Sequence, residues 1–192
     1  MDSNPEGRPM ERYAAPEEVI AFWRAAGPDR WFAKDESFDA ECRARFLVTH
    51  EAAAAGELNE WELSPDGALA LCLLLDQFPR NMFRGTRRAY RTDPVAVDVA
   101  DRAIERGHDK AVDPSLRRFF YLPFMHSEEL ADQERSVALA EAMGDEDTLK
   151  WARHHRDIVA KFGRFPHRNA ILGRAGTPEE AAFLAEEGAF KG

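Results

Sequence analysis

A chain of 192 residues is the length of one domain, and its 35 acidic against 26 basic residues, a formal net charge of −9, work against general attraction to nucleic acid or to an anionic membrane surface. Its two cysteines, Cys42 and Cys72, lack metal-ligand spacing and cannot make a disulfide scaffold, so they read as small buried hydrophobes in a reducing compartment. The opening MDSNPEGRPMERYAAPEE has neither an apolar signal segment nor an arginine-rich amphipathic one, which predicts a disordered tail over 1–15, a single all-helical domain over 16–192 and a cytoplasmic protein.

The first helix is expected over Pro16 to Ala26, with Val19, Ile20, Phe22 and Trp23 on its apolar side and Gly27-Pro28 stopping it. Trp31 and Phe32 follow in a connector, placed to plug a gap in the core. Ser37 offers a cap for a helix over Phe38 to Ala55, whose Phe38, Cys42, Arg45, Phe46 and Thr49 form the inward and flanking stripe before Gly56. Ser64-Pro65 then opens a central helix to Gln77. Its run Ala68 to Leu75 is apolar all round, so it has no solvent face, and it is far short of the ~20 residues needed to cross a bilayer. Phe78 precedes Pro79 and should leave the helical region, ending the helix. Asp76 then lies in the last turn, where the helix dipole disfavours a carboxylate; it needs a cation, and Arg80 and Arg84 are nearest.

Thr86 to Arg91 reads as an extra turn. Asp93-Pro94 opens a helix to about Arg106, with Val95, Val99 and Ala103 inward, and Asp113-Pro114 opens a short one holding Leu116, Phe119 and Phe120, limited by Pro123. Ser127 can cap a helix through Met143. Glu146 to Phe162 is the best amphipathic pattern, with Trp151, His155, Ile158 and Phe162 on one stripe, and Thr177-Pro178-Glu179-Glu180 is a capping box starting a last helix that ends at Gly188. No period-two pattern with turn chemistry on both sides occurs, and 31 Ala against 8 Val and 4 Ile favour helix. The fold class is therefore all-α, eight or nine antiparallel helices in a compact helical-hairpin bundle or a short superhelix of helix pairs.

One stretch echoes another. Phe78-Pro79-Arg80-Asn81-Met82-Phe83-Arg84-Gly85 resembles Phe165-Pro166-His167-Arg168-Asn169-Ala170-Ile171-Leu172-Gly173-Arg174 after one insertion. Both can be corner devices, with proline setting the turn and Asn and Arg satisfying backbone at a helix end. Both are also rich in arginine within an acidic protein. Guanidinium groups gathered without matching acids are the material of a carboxylate or phosphate site, which requires Arg80 or Arg84 to approach Arg164 or Arg168.

A third stretch, RFFYLPFMHSEELADQ over 118–133, brings Tyr121 and Phe124 as an aromatic wall beside His126, Ser127 and Glu128. His126 and Glu128 are candidates for proton transfer, against the plainer reading of a packed polar residue and a first-turn acid. His155 is expected to face inward, where a histidine is more often a hydrogen-bonded core residue than a base. His50 and His108 carry no motif. No glycine-rich phosphate loop, zinc-type cluster, calcium loop or nucleophile elbow is present, so no metal and no cofactor are expected.

Together LLLDQFPRNMFRG, RFFYLPFMHSEELADQ and KFGRFPHRNAILGR, in this order, resemble the three signatures of the bacterial domain-of-unknown-function family 924, and the likeness extends from about Pro16 to Leu184. The resemblance implies an all-helical, tetratricopeptide-like fold and no established substrate, cofactor or catalytic residue. Its motif positions include Asp76, Arg80, Asn81, Arg84, His126, Glu128, His155, Arg164, His167, Arg168 and Asn169.

The favoured expectation is a basic, aromatic-walled pocket that binds, and by extension turns over, a small anionic metabolite or an acidic peptide terminus, with no nucleic-acid or membrane partner. Its ligand residues are Asp76, Arg80, Asn81, Arg84, Tyr121, Phe124, His126, Glu128, Arg164, His167, Arg168 and Asn169. The alternatives are a tetratricopeptide-like interaction module without catalysis, and a metal-free hydrolase using His126 or His155 as base beside Glu128.

Overall fold

Residues 13–186 are described by the computed structural model; of the expected tail over 1–15, residues 1–12 lie outside them, as does the helix end at Gly188, while the Ala14 amide donates to Thr49. The helices are α1 (Pro16–Ala26), α2 (Pro28–Trp31), α3 (Glu36–Ala54), α4 (Pro65–Cys72), α5 (Phe78–Met82), α6 (Asp93–Glu105), α7 (Leu122–His126), α8 (Leu130–Met143), α9 (Glu146–Phe162), α10 (Asn169–Leu172) and α11 (Pro178–Ala185), joined by short 3-10 turns and one π-turn, Leu73–Gln77. No strand occurs among the described residues, and the helices pack as a bundle.

The bundle is built round α4, as its all-apolar surface requires. Every residue from Ala68 to Leu75 is at most 2% exposed, with α1 and α6 packed on α4 and α3 against α5. Burying each leucine there contributes roughly 1.5–3 kcal/mol. Gly67 sits so close to the Trp61 carbonyl that an added Cβ would strike it, so only glycine fits where the chain enters this helix. Phe22, Trp23 and Phe46 close round Phe78, with ring centroids 6.0, 5.4 and 4.9 Å from it. On the far side α8 and α9 form a hairpin across Gly144, whose left-handed conformation ends α8.

Several local expectations change. Asp35, not Ser37, caps α3, accepting from the Ser37 and Phe38 amides, because a carboxylate two residues earlier is the stronger acceptor. Trp31 is buried, its indole N–H donating to the Trp23 carbonyl at 2.6 Å, while Phe32 is 61% exposed. On α6 the buried face is Ala96, Val99, Ala100 and Ala103, and Val95 points outward. Phe119 and Phe120 are carried by a 3-10 turn, and Pro123 lies in the first turn of α7, where its missing N–H costs nothing. Ser127 does not cap α8 as expected: it donates to Asp132, and the helix starts later, at Leu130. His155, Ile158 and Val159 face inward on α9, but Trp151 is 48% exposed.

Candidate functional site

The site begins with a proline. Pro79 has no N–H, and its ring would strike the carbonyl four residues back in a regular α-helix. The helix answers by widening instead of stopping: Phe78 stays helical at φ −59° and ψ −37°, and its N–H bonds to Leu73, five residues back. The expected end of the helix at Phe78 is therefore a π-turn. This leaves Leu74 and Leu75 carbonyls without their usual amides, and two side chains fill them. His50 Nδ1 donates to Leu74 at 2.8 Å and Thr92 Oγ1 to Leu75 at 2.6 Å.

Asp76 lies in the π-turn and is fully buried. It has the expected cation partner, Arg80, at 3.0 Å, and a second partner that sequence reasoning did not assign to it: His126 Nδ1 at 2.7 and 3.0 Å from the two carboxylate oxygens. Gln77 also donates to it. Burial alone would raise the Asp76 carboxyl, but the Arg80 charge and then His126 outweigh it and hold the group at about 2. Burial, followed by the Arg80 charge, pushes His126 below the ordinary imidazole value despite the opposing pull of Asp76. At neutral pH the pair is thus a carboxylate and a neutral ring with its proton on Nδ1, which leaves the Nε2 lone pair directed away from Asp76. Nε2 has no hydrogen bond within the described residues, and the side chain is 17% exposed.

The two corners converge on Asp93. Arg80 binds it through both terminal nitrogens at 2.9 and 3.0 Å, and Arg168 reaches the same carboxylate at 3.3 Å. Asp93 was expected to cap α6; Thr92 takes the N-cap position, and Asp93 turns inward as an acid between two guanidinium groups. Arg168 lies between the rings of Tyr90 and Phe165, 4.5 and 4.6 Å from their centroids, and donates to the His126 carbonyl at 2.9 Å. Its Nε is buried without an acceptor among the described residues. Burial and the nearby Arg80 charge push Arg168 below its ordinary value, whereas Asp76 and Asp93 overcome the cost of burial and raise Arg80.

Other expected ligand residues are spent elsewhere. Asn81 and Arg84 both bind Asp39 on α3, and Asn169 and Arg164 both bind Glu180 on α11. Each Asn thus shares one acid with a nearby Arg, and Arg80 and Arg168 go to Asp93, while Arg174, the counterpart of Arg84, binds Glu128. Glu128 holds Arg174 at 2.6 Å and the Phe165 amide at 2.8 Å, so the acid on His126 is Asp76 and not Glu128. The Tyr121 hydroxyl donates to Asp109 and Arg135 lies over Phe124, while Tyr90 and Phe165 are the rings that flank the guanidinium. His155 lies with its ring 6.3 Å from that of His126, and Phe165 is 5.5 Å from His155 and 5.6 Å from His167. The expected unmatched arginines are in fact matched, because an acidic chain supplies enough carboxylates to partner them.

Two further facts bear on placement. Among the described residues no helix is long and apolar enough to cross a membrane. Cys42 and Cys72 are buried free thiols.

Comparison with known proteins agrees with the fold. A solved structure described as a protein of unknown function, ATU0120 from Agrobacterium tumefaciens, is 52% identical over 90% of this chain and 97% of that one, with a TM-score of 0.87. No curated protein matches. The model of the family described as bacterial protein of unknown function (DUF924) matches residues 19–188, and the chain belongs to that family.

Proposed function

We propose that Arg168 and the Asp76–His126 pair form a binding site for a small anionic metabolite or an acidic peptide terminus, in a cytoplasmic protein. The observation that carries this reading is Arg168 itself: 6% exposed, with one long contact to an acid that Arg80 already occupies, and with an Nε–H that has no acceptor. A buried donor without a partner costs about 1–3 kcal/mol, more for a charged group. A carboxylate or phosphate oxygen would supply the missing acceptor. His126, held in one tautomer by a buried carboxylate, presents Nε2 in the manner of a general base, which extends the reading from binding to proton transfer on the bound acid. Buried, unpaired Cys42 and Cys72 support the reducing compartment.

The test is thermal unfolding in inorganic phosphate and in succinate, each against sodium chloride of equal ionic strength. A specific site gives a saturable rise of about 5–10 °C at a hundredfold excess over Kd. Arg168→Met removes the rise. No anion-specific rise in the wild type overturns the reading and moves the interaction-module alternative to first place.

A further inference from the structure

We infer that His50 and Thr92 are positioning residues for the Asp76–His126 pair: by filling the Leu74 carbonyl, which the π-turn opens, and the Leu75 carbonyl, which Pro79 leaves without an amide, they hold Asp76 in the register in which it reaches His126. This rests on the proposed reading of that pair as the working one. Its readout is the proton on His126 and not ligand binding, so either idea can fail alone.

A π-turn places one extra residue in a helical turn, and each residue of an α-helix advances about 100° round the axis. Were the turn to relax to α, everything after it would shift in phase by about that angle relative to α4. Because α4 is clamped on every side by the core, the segment carrying Asp76 would have to rotate, and the carboxylate would leave His126 on α7. The relaxed form is resisted from two sides. Pro79 cannot donate to Leu75, and the two orphaned carbonyls, Leu74 by the π-turn and Leu75 by the proline, are satisfied by His50 from α3 and by Thr92 from the residue before α6. Both side chains are nearly inaccessible, at 4% and 5% exposure. Buried polar groups are retained where they are hydrogen-bonded, and these two meet in the π-turn from separate elements. Arg80 completes the set, its guanidinium donating to the Asp76 carbonyl at 2.6 Å while also gripping the carboxylate. π-bulges inside helices recur at functional sites, where they redirect a side chain.

The experiment is a proton–nitrogen correlation of the His126 imidazole in labelled full-length protein, followed through a pH titration. Wild type should show Nδ1 protonated and Nε2 free. The informative variant combines Pro79→Ala with Thr92→Val: the first change restores a backbone N–H that the Leu75 carbonyl can accept, so no carbonyl is left orphaned when the second removes Oγ1. The expected result is loss of the fixed Nδ1–H form and a fall of about tenfold in the proton affinity of His126, as the Asp76 charge moves away. Asp76→Ala gives the reference spectrum for a parted pair. Should the double variant not fold, Thr92→Val alone is read in the same way, with Thr92→Ser retaining the wild-type tautomer and titration. A folded variant lacking the Thr92 hydroxyl whose His126 keeps its tautomer and titration shows that Thr92 only fills space, and overturns the inference.

Discussion

Arg80 and Arg168, which occupy matching places in the two Phe-Pro corners 88 residues apart in sequence, bind one carboxylate, that of Asp93. Two buried cations on one acid are stable only while that acid and Asp76 offset their repulsion. The internal echo is thus also a spatial one, and Asp93 is its hinge.

Removing Asp93 should therefore be among the most damaging single changes in the protein. Asp93→Ala leaves Arg168 without an acid and Arg80 with Asp76 alone, and breaking a buried pair costs about 3–5 kcal/mol. Urea unfolding at pH 7 should show that loss as a lower midpoint. A loss below about 1 kcal/mol would mean that solvent reaches both guanidinium groups freely.

Acid should act first through the histidines. Burial pushes His155 and His167 to about 3, whereas in the unfolded chain each takes up a proton near 6.5. Between those values the unfolded state binds more protons, so stability rises with pH across the window, by about 1.4 kcal/mol per pH unit for one fully buried group. Asp76, with its folded value at about 2, adds stability that is present above about 3.9 and is lost as pH falls through 2. Urea midpoints should drop steadily from pH 6 to pH 4, and His155→Phe should flatten that drop by about one proton. An unchanged slope would show that His155 is protonated in the native state.

Glu180 is the polar anchor of the last described helix, beside the packing of Phe183 on Phe162. It takes both nitrogens of Arg164 at 2.7 and 2.9 Å, the Asn169 amide at 3.1 Å and the Thr177 amide at 2.7 Å. Glu180→Ala should release α11 locally, with amide exchange over 178–185 faster by about tenfold or more and the α4 amides unchanged. Equal acceleration in α4 would mean that α11 belongs to the global folding unit.

How much of this was legible in sequence depends on whether the cause was local. The apolar side and the Gly27-Pro28 stop located α1, the cap-and-proline signal located the start of α4, and the all-apolar run placed α4 at the centre. The dipole argument found Arg80 for Asp76, since both lie on one stretch of helix. The π-turn left no trace, because one inserted residue cannot disturb the period of a segment that is apolar on every side. His50 and Thr92 were invisible because their role is to satisfy carbonyls that the π-turn and Pro79 free, from segments far away in sequence. Asp93 was read as a cap because Asp-Pro is a cap signal, while its partners lie 13 and 75 residues away. The aromatic pair was also misplaced. Phe124 and His126 are two apart on a short helix and so cannot share a face, whereas Tyr90 and Phe165 are brought to Arg168 by chain folding alone.

Arg168 is where stability and function make opposite demands. As a structural residue it is poorly provided for, with one contact to an acid at 3.3 Å, an orphan Nε–H, and a charge held beside Arg80. Replacing a buried charge by an apolar side chain of similar volume is often neutral or stabilising by about 1–4 kcal/mol, provided that its partner acid is not stranded. Asp93 would not be stranded, since Arg80 keeps both of its bonds to it. Methionine can also fill the slot between Tyr90 and Phe165, and the loss of the bond to the His126 carbonyl costs about 1.5–3 kcal/mol at most. Arg168→Met should therefore fold, with a midpoint within about 1 kcal/mol of wild type or above it, while Arg168→Ala, which opens a cavity between two rings, should be weaker than either. That ordering is expected of a residue kept for what it binds. If Arg168→Met instead loses about 3–5 kcal/mol, as Asp93→Ala should, the guanidinium is a structural clasp between the corners, and its presence gives no reason to place a ligand there.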